Sequence, residues 1–275
     1  MFSFNYGKNI VVKPKTVIYF EGSKNSKTAE NVFFLIKGKV VITRKTKDKY
    51  FQMGIGENMI FGLQDSLNTD ERITSAISLE ETELYSWQQE NFFMNIQVDL
   101  LLARMVTFSL CRELRYFNER REQSLFSNVS LADTSNFVIN EDLQTQSVLY
   151  NLAFKKGYED IPEEISKLFS RTYESGDILI QENDLSDEIF ILLEGTVEVI
   201  KSNKVICAMG AGEIFGEMSH FENKRRTATI RATSKLKVLV LEPKNFNVLY
   251  QLDPKWSANL IKSLCSRIKN AYLLI

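Results

Sequence analysis

Met53-Gly54-Ile55-Gly56-Glu57 followed by Phe61-Gly62, and Met209-Gly210-Ala211-Gly212-Glu213 followed by Phe215-Gly216, are two copies of one pattern in a chain of 275 residues. Upstream, Phe33-Phe34-Leu35-Ile36-Lys37-Gly38 matches Phe190-Ile191-Leu192-Leu193-Glu194-Gly195. Downstream the register holds without a gap: Arg72 faces Arg226, Asn91-Phe92 faces Asn245-Phe246, and Ser109-Leu110-Cys111 faces Ser263-Leu264-Cys265. An offset kept constant over so long a stretch marks an internal duplication, and a duplication has to be read before any single motif. The chain is long enough for two domains of ordinary size.

Each copy opens with short β-branched and aromatic runs, Val32 to Ile36, Val40 to Thr43, Ile189 to Leu193 and Thr196 to Ile200, interrupted by glycines at strand-like spacing. Each closes on a three-and-four-residue period: Val98, Leu101, Leu102, Met105, Phe108 and Cys111 in the first, and Leu260, Ile261, Leu264, Cys265 and Ile268 in the second. Strands followed by a helix are therefore expected twice, the second helix with Asp253 as N-cap and Pro254 at its first position. The expected division is 1–125, a connector over 126–165, and 166–275. Asn128 to Arg171 carries seven acidic and four basic residues, with a helix start at Ile161-Pro162-Glu163-Glu164.

The 34 basic residues nearly balance the 35 acidic ones, so no general counterion-release term favours nucleic acid. The apolar runs fall far short of the roughly 20 residues of a membrane span, and the start MFSFNYGKNI lacks a signal peptide's apolar core, so a cytoplasmic protein is expected. Cys111, Cys207 and Cys265 are too sparse for a disulfide framework or a metal knuckle and read as reduced core thiols. With His220 the only histidine, HExxH and His-rich metal centres are excluded, and no nucleophile turn accompanies it. It reads as a solvated side chain. Neither metal nor cofactor is expected, and no nucleophile, base and orienting group occur as a set, so an enzyme is disfavoured.

The stretch with chemistry is Gly212-Glu213-Ile214-Phe215-Gly216-Glu217-Met218-Ser219, followed by Arg225-Arg226-Thr227-Ala228. Gly216 lets backbone approach a ligand, and a short helix starting near Ser219 would turn free amides toward an anion. Arg226 offers a planar fork of donors for two phosphate oxygens. Glu217 is the acceptor that a ribose 2′-hydroxyl needs, and in a cyclic phosphodiester that hydroxyl and the phosphate lie close enough for one loop to reach both. The alternative is that Glu217 and Arg226 form only a surface ion pair, worth about 0 to 1 kcal/mol.

Phe215-Gly216-Glu217-Met218-Ser219 with Arg226-Thr227-Ala228 resembles the phosphate-binding cassette of cyclic-nucleotide-binding domains, as in protein kinase A regulatory subunits, catabolite activator proteins and cyclic-nucleotide-gated channels. Tyr173-Glu174-Ser175-Gly176-Asp177-Ile178-Leu179 and the hairpin at Gly195 are similar to that family as well. The resemblance implies an α+β fold: two jelly-roll-like β-rolls, each followed by helices, joined by a partly helical connector. It further implies Glu217 on the ribose, Arg226 on the exocyclic phosphate oxygens, and the amides of Gly216, Ser219 and Thr227 on the remaining polar atoms. Met218 and Ala228 complete the cassette. A base cap is expected from the last helix at Arg267, with Ala271 one turn further on. Thr227 could contact a guanine amine or cap the cassette, so cAMP and cGMP stay open.

The first copy departs from this pattern: Leu63 replaces the ribose acceptor, Asp65 stands where Ser219 does, and Arg72 is then expected to pair with Asp65 or Glu71. A hydrogen bond lost from a charged group costs about 1.5 to 3 kcal/mol, so a degenerate site, or one for another ligand, is expected. The expected function is a receptor for cAMP or cGMP that binds in the C-terminal domain and signals to a protein partner by helix rearrangement. Two alternatives remain: a scaffold with vestigial sites, dimerising through helix 98–117 or 254–275, and a receptor for another nucleotide such as a cyclic dinucleotide.

Overall fold

Tyr50–Ile55 alternates outward and inward side chains, with Phe51, Met53 and Ile55 buried, as a strand with one wet face requires. A computed structural model of the chain describes residues 6–23, 31–46, 50–63, 71–127, 169–252 and 254–273. The connector expected over 126–165, its helix start at Ile161, the cap Asp253 and the cassette residue Asp65 lie outside the described residues, apart from the end of one helix at Ser127.

The first roll contains eight strands: β1 (Lys8–Val12), β2 (Val17–Tyr19), β3 (Asn31–Lys37), β4 (Val40–Lys45), β5 (Tyr50–Ile55), β6 (Ile60–Phe61), β7 (Ser75–Ser78) and β8 (Thr82–Gln88). They form two antiparallel sheets, ordered β1-β8-β3-β6 and β2-β7-β4-β5. The second roll repeats this with β9 (Ser170–Tyr173), β10 (Ile178–Ile180), β11 (Ile189–Glu194), β12 (Thr196–Lys201), β13 (Lys204–Gly210), β14 (Ile214–Phe215), β15 (Thr229–Ala232) and β16 (Leu236–Leu241). Its sheets run β9-β16-β11-β14 and β10-β15-β12-β13, the same order in the same register of elements. Even the irregularities recur: pairing slips between Val17 and Tyr19 and between Ile178 and Ile180. The two-roll α+β fold is the one expected.

In the second roll Phe190, Leu192, Val197, Met209, Phe215, Ile230, Leu236, Val238 and Val240 form one core. Because β14 pairs with β11, Phe215 lies against Phe190 with parallel rings 5.2 Å apart. This fixes the strand end from which the following Gly216 departs.

The helices are α1 (Gln89–Val98), α2 (Leu100–Ser127), α3 (Glu217–Glu222), α4 (Pro243–Leu252) and α5 (Pro254–Leu273). The single helix expected through Val98 is broken. Asp99 is extended (φ −111°, ψ 96°), and its carboxylate accepts from the Leu102 amide at 3.0 Å, capping α2. Val98 closes α1 and is 80% exposed, while Leu102, Ala103, Val106, Leu110 and Cys111 are buried. Among the described residues no single helix is long and apolar enough to cross a membrane, and α1 and the start of α2 meet at 115°.

Two compact units divide the chain: Met1–Leu114 with Ser257–Ile275, and Arg115–Trp256. The segment Ser257–Ile275, placed by the repeat in 166–275, therefore packs in the first unit. There α5 buries Leu260, Ile261, Leu264, Cys265 and Ile268. Tyr272, also buried, donates from its hydroxyl to Glu113 Oε1 at 2.9 Å and meets the Phe51 ring edge-on at 5.6 Å. The apolar stripe that suggested pairing of helix 254–275 with a second chain is used inside that unit. Cys111 and Cys265 are buried helix positions as expected, whereas Cys207, expected in the core, is exposed on β13.

Candidate functional site

β14 ends at Phe215, and the next residue turns the chain sharply. Gly216 has φ +83° and ψ −4°, and a Cβ there would stand 2.7 Å from the Glu188 carbonyl oxygen and 2.8 Å from Arg226 Nη1. Glycine alone satisfies both the left-handed backbone and the close approach. Helix α3 then starts at Glu217, two residues before the start expected near Ser219, with Gly216 as N-cap. Gly216→Ala combines a strained φ with backbone overlap. It is expected to remove at least about 2 kcal/mol of the second unit's stability, measured as a shift in chemical denaturation midpoint at constant slope. A shift under about 0.5 kcal/mol would contradict the geometry.

Arg226 is 3% exposed, and its guanidinium is held by four residues. Nε donates to Ser186 Oγ at 3.0 Å; Nη1 donates to the Gly216 carbonyl and to Ser219 Oγ, both at 2.8 Å. Nη2 donates to the Glu188 carbonyl at 2.8 Å and faces a Glu188 carboxylate oxygen at 3.4 Å. Burial lowers the Arg226 pKa, and the charges of Glu188, Glu217, Asp187 and Asp184 act against that shift. Glu217, in the first turn of α3, is 1% exposed. With both members buried, the surface ion pair considered for Glu217 and Arg226 is set aside.

Ser219 Oγ donates to the Gly216 carbonyl at 3.0 Å while accepting from Arg226, so α3 and the arginine share one node. Backbone bonds pin the arginine's own segment, from the Arg226 amide to the Asp184 carbonyl at 2.9 Å and from the Asn183 amide to the Arg226 carbonyl at 3.0 Å. Thr227 Oγ1 donates to Met218 Sδ at 3.9 Å, and Met218 and Ala228 are buried. The structure thus brings together Gly216, Glu217, Met218, Ser219, Arg226, Thr227 and Ala228. Arg267, half-buried, and Ala271 lie on α5, within the first unit.

Ser186 and Glu188 were not singled out from the sequence. Ser186 leaves no trace in the repeat, where Ala29 stands in its place, and Glu188 acts mainly through its carbonyl, which no side-chain pattern reports. His220, expected in solvent, is half-buried, with Nε2 3.3 Å from Asn247 Oδ1 and its ring edge-on to Phe246 at 5.8 Å. Among the described residues no group of three or more His, Cys, Asp or Glu could hold a metal ion.

The first unit has the same frame with a different filling. Gly62 has φ +78°, and Arg72, 1% exposed, donates from Nη1 to the Gly62 carbonyl and from Nη2 to the Asn31 carbonyl, each at 2.6 Å. These are the counterparts of the Gly216 and Glu188 carbonyls. Leu63, in the place of Glu217, is fully buried. Over the guanidinium lies the Tyr19 ring, its centroid 4.2 Å from Cζ, at the end of a stack with Phe33 and Phe61. Two carbonyls and a ring are thus among the partners of Arg72, while Asp65, one of the two carboxylates expected to pair with it, lies outside the described residues.

A family model described as "Cyclic nucleotide-binding domain" matches residues 10–98 and 170–253, together more than half of the chain. The cAMP-dependent protein kinase regulatory subunit of Schizosaccharomyces pombe is 31% identical over 78 residues, which is 28% of this chain and 19% of that protein. The human cGMP-dependent protein kinase 2 is 27% identical over 88 residues, 32% of this chain and 12% of that protein. The matches thus span less than a fifth of either curated relative. The regulatory domain of Toxoplasma gondii PKA, crystallised with cAMP, is 15% identical with a TM-score of 0.31, covering 92% of this chain and 84% of that one.

Proposed function

The chain belongs to the cyclic nucleotide-binding domain family, and from that membership we propose that it is a receptor that takes cAMP or cGMP in its second unit and signals to a protein partner by helix rearrangement. The observation that carries the reading is the buried Arg226, joined through Ser219 to the short helix α3 that opens with Glu217. A buried arginine with a planar fork of donors is poised to gain from the single negative charge of a cyclic phosphodiester. Phosphate oxygens would replace the Ser186, Ser219 and Glu188 side chains on the guanidinium, while the Gly216 and Glu188 carbonyls keep its plane fixed. Glu217 would accept from the ribose hydroxyl, and the amides of Gly216, Ser219 and Thr227 would meet the remaining oxygens.

Arg267 is proposed to cap the base, with Ala271 one turn further on. The repeat boundaries 1–125, 126–165 and 166–275 are retained as the functional division. The matched regions are binding domains rather than catalytic ones, in keeping with a regulatory role. The scaffold alternative has less support, because the second copy keeps a buried acceptor at Glu217 where the first has Leu63, and a purely structural role gives no reason for that difference.

Titration calorimetry of the whole chain with cAMP, cGMP and a cyclic dinucleotide tests the reading. One mononucleotide per chain is expected, since Leu63 offers no acceptor and Tyr19 covers the face of Arg72. Uptake of two would contradict the assignment of the first unit, and uptake of none would remove the receptor reading.

A further inference from the structure

Arg115 lies far from the cassette in sequence and on a different element. It sits in the part of α2 that belongs to the second compact unit. Its Nε donates to Glu222 Oε2 at 2.5 Å, with side chains 13% and 1% exposed. Glu222 is the last residue of α3, whose first residue is Glu217.

A carboxylate at a helix C-terminus faces the negative end of the helix dipole, and a buried one also loses its hydration. Lys224 reaches the other carboxylate oxygen only at 4.0 Å from an exposed side chain. Among the described residues the close cationic partner of Glu222 is therefore Arg115. The consequence reaches the candidate ligand contacts in one turn of helix. The Ser219 carbonyl accepts from the Asn223 and Lys224 amides, where α3 closes with Asn223 at φ +51°, and the Ser219 hydroxyl is the node that Arg226 grips. The short helix is thus clamped at both ends by arginines: Arg226 at the Gly216 end and Arg115 at the Glu222 end.

We infer that Arg115 is a positioning residue for the second unit's ligand site: through Glu222 it holds α3, and so Glu217 and Ser219, in the arrangement that binds. The inference rests on the receptor reading above. It makes α2, the helix that follows the first roll, part of the second site, so that cassette movement on binding is passed to α2.

The test is calorimetric titration of the full chain with cAMP and cGMP in five forms: wild type, Arg115→Met, Arg115→Lys, Glu222→Gln, and Glu222→Gln combined with Arg115→Met. Arg115→Met is expected to weaken binding at least about tenfold, because it strands a buried carboxylate, while Arg115→Lys, which keeps the charge, loses less than about threefold. In the Glu222→Gln background Arg115→Met is expected to add little, the signature of two groups acting as one. Wild-type affinity in Arg115→Met, or a loss as large in the Glu222→Gln background, overturns the inference. Should Arg115→Met fail to fold, hydrogen exchange of the wild-type chain decides: ligand must slow exchange at 112–119 as well as in α3, and unchanged rates at 112–119 overturn it. A wild type that takes up no cyclic nucleotide sinks the receptor reading and this inference together, whereas a binding wild type with an indifferent Arg115→Met sinks the inference alone.

Discussion

Arg226→Ala is expected to weaken cyclic-nucleotide binding by at least about 2 kcal/mol, some thirtyfold, because the phosphate loses its one buried, forked, charged partner. The substitution does more than delete a ligand contact. The carbonyls of Gly216 and Glu188 lose their 2.8 Å donors, and Ser219 loses the bond that ties α3 to the loop before β15. Ligand-free stability should therefore fall as well, by about 1 to 3 kcal/mol for the stranded acceptors. Arg226→Lys separates the two effects. It preserves the charge but not the fork, so stability should recover further than affinity. Titration calorimetry and denaturant unfolding on the same samples read both quantities. A folded Arg226→Ala chain with wild-type affinity would end the assignment of the second unit as the ligand site.

Arg72→Ala should behave in the opposite way, though the two arginines occupy the same place in the two copies. Arg72 is held by the Gly62 and Asn31 carbonyls and lies under the Tyr19 ring. Two charged hydrogen bonds, a desolvated cation–π contact and the void left in a packed interior add to about 3 to 5 kcal/mol of lost stability. The melting temperature should drop on the order of 10 °C, while the affinity of the second unit stays within about threefold of wild type. A melting temperature within about 2 °C of wild type would show that Arg72 is not a core element. Loss of ligand uptake without loss of stability would relocate the site to the first unit.

The duplication, the strand-rich beginning of each copy and the cassette residues Gly216 to Ser219 and Arg226 to Ala228 were legible because each is local: periodicity, glycine spacing and charge within one stretch. What escaped depends on pairing between distant segments. Tyr19 covers Arg72 only because β2 pairs with β7 across the roll, and nothing near Tyr19 in sequence announces a guanidinium. Ser186 and Glu188 meet Arg226 from 40 and 38 residues away. The period of Leu260 to Ile268 correctly marked a buried face on α5, but a period does not name the surface that buries it. The same limit explains Val98, which fits the spacing of α2 yet falls before the break at Asp99.

The interleaving of the two compact units has a consequence for how the chain comes into being. A polypeptide emerges from its amino end, so residues 115–256 are all present while the first unit still lacks 257–275. Until that segment arrives, the ring of Phe51 and the carboxylate of Glu113 lack the Tyr272 side chain that meets them, and the first unit lacks the buried face of α5. Order of synthesis and order of completion are thus reversed: the half begun first is finished last. An apolar surface that waits this long for its cover is the part of the nascent protein most open to capture by chaperones or to mispairing with another newly made chain.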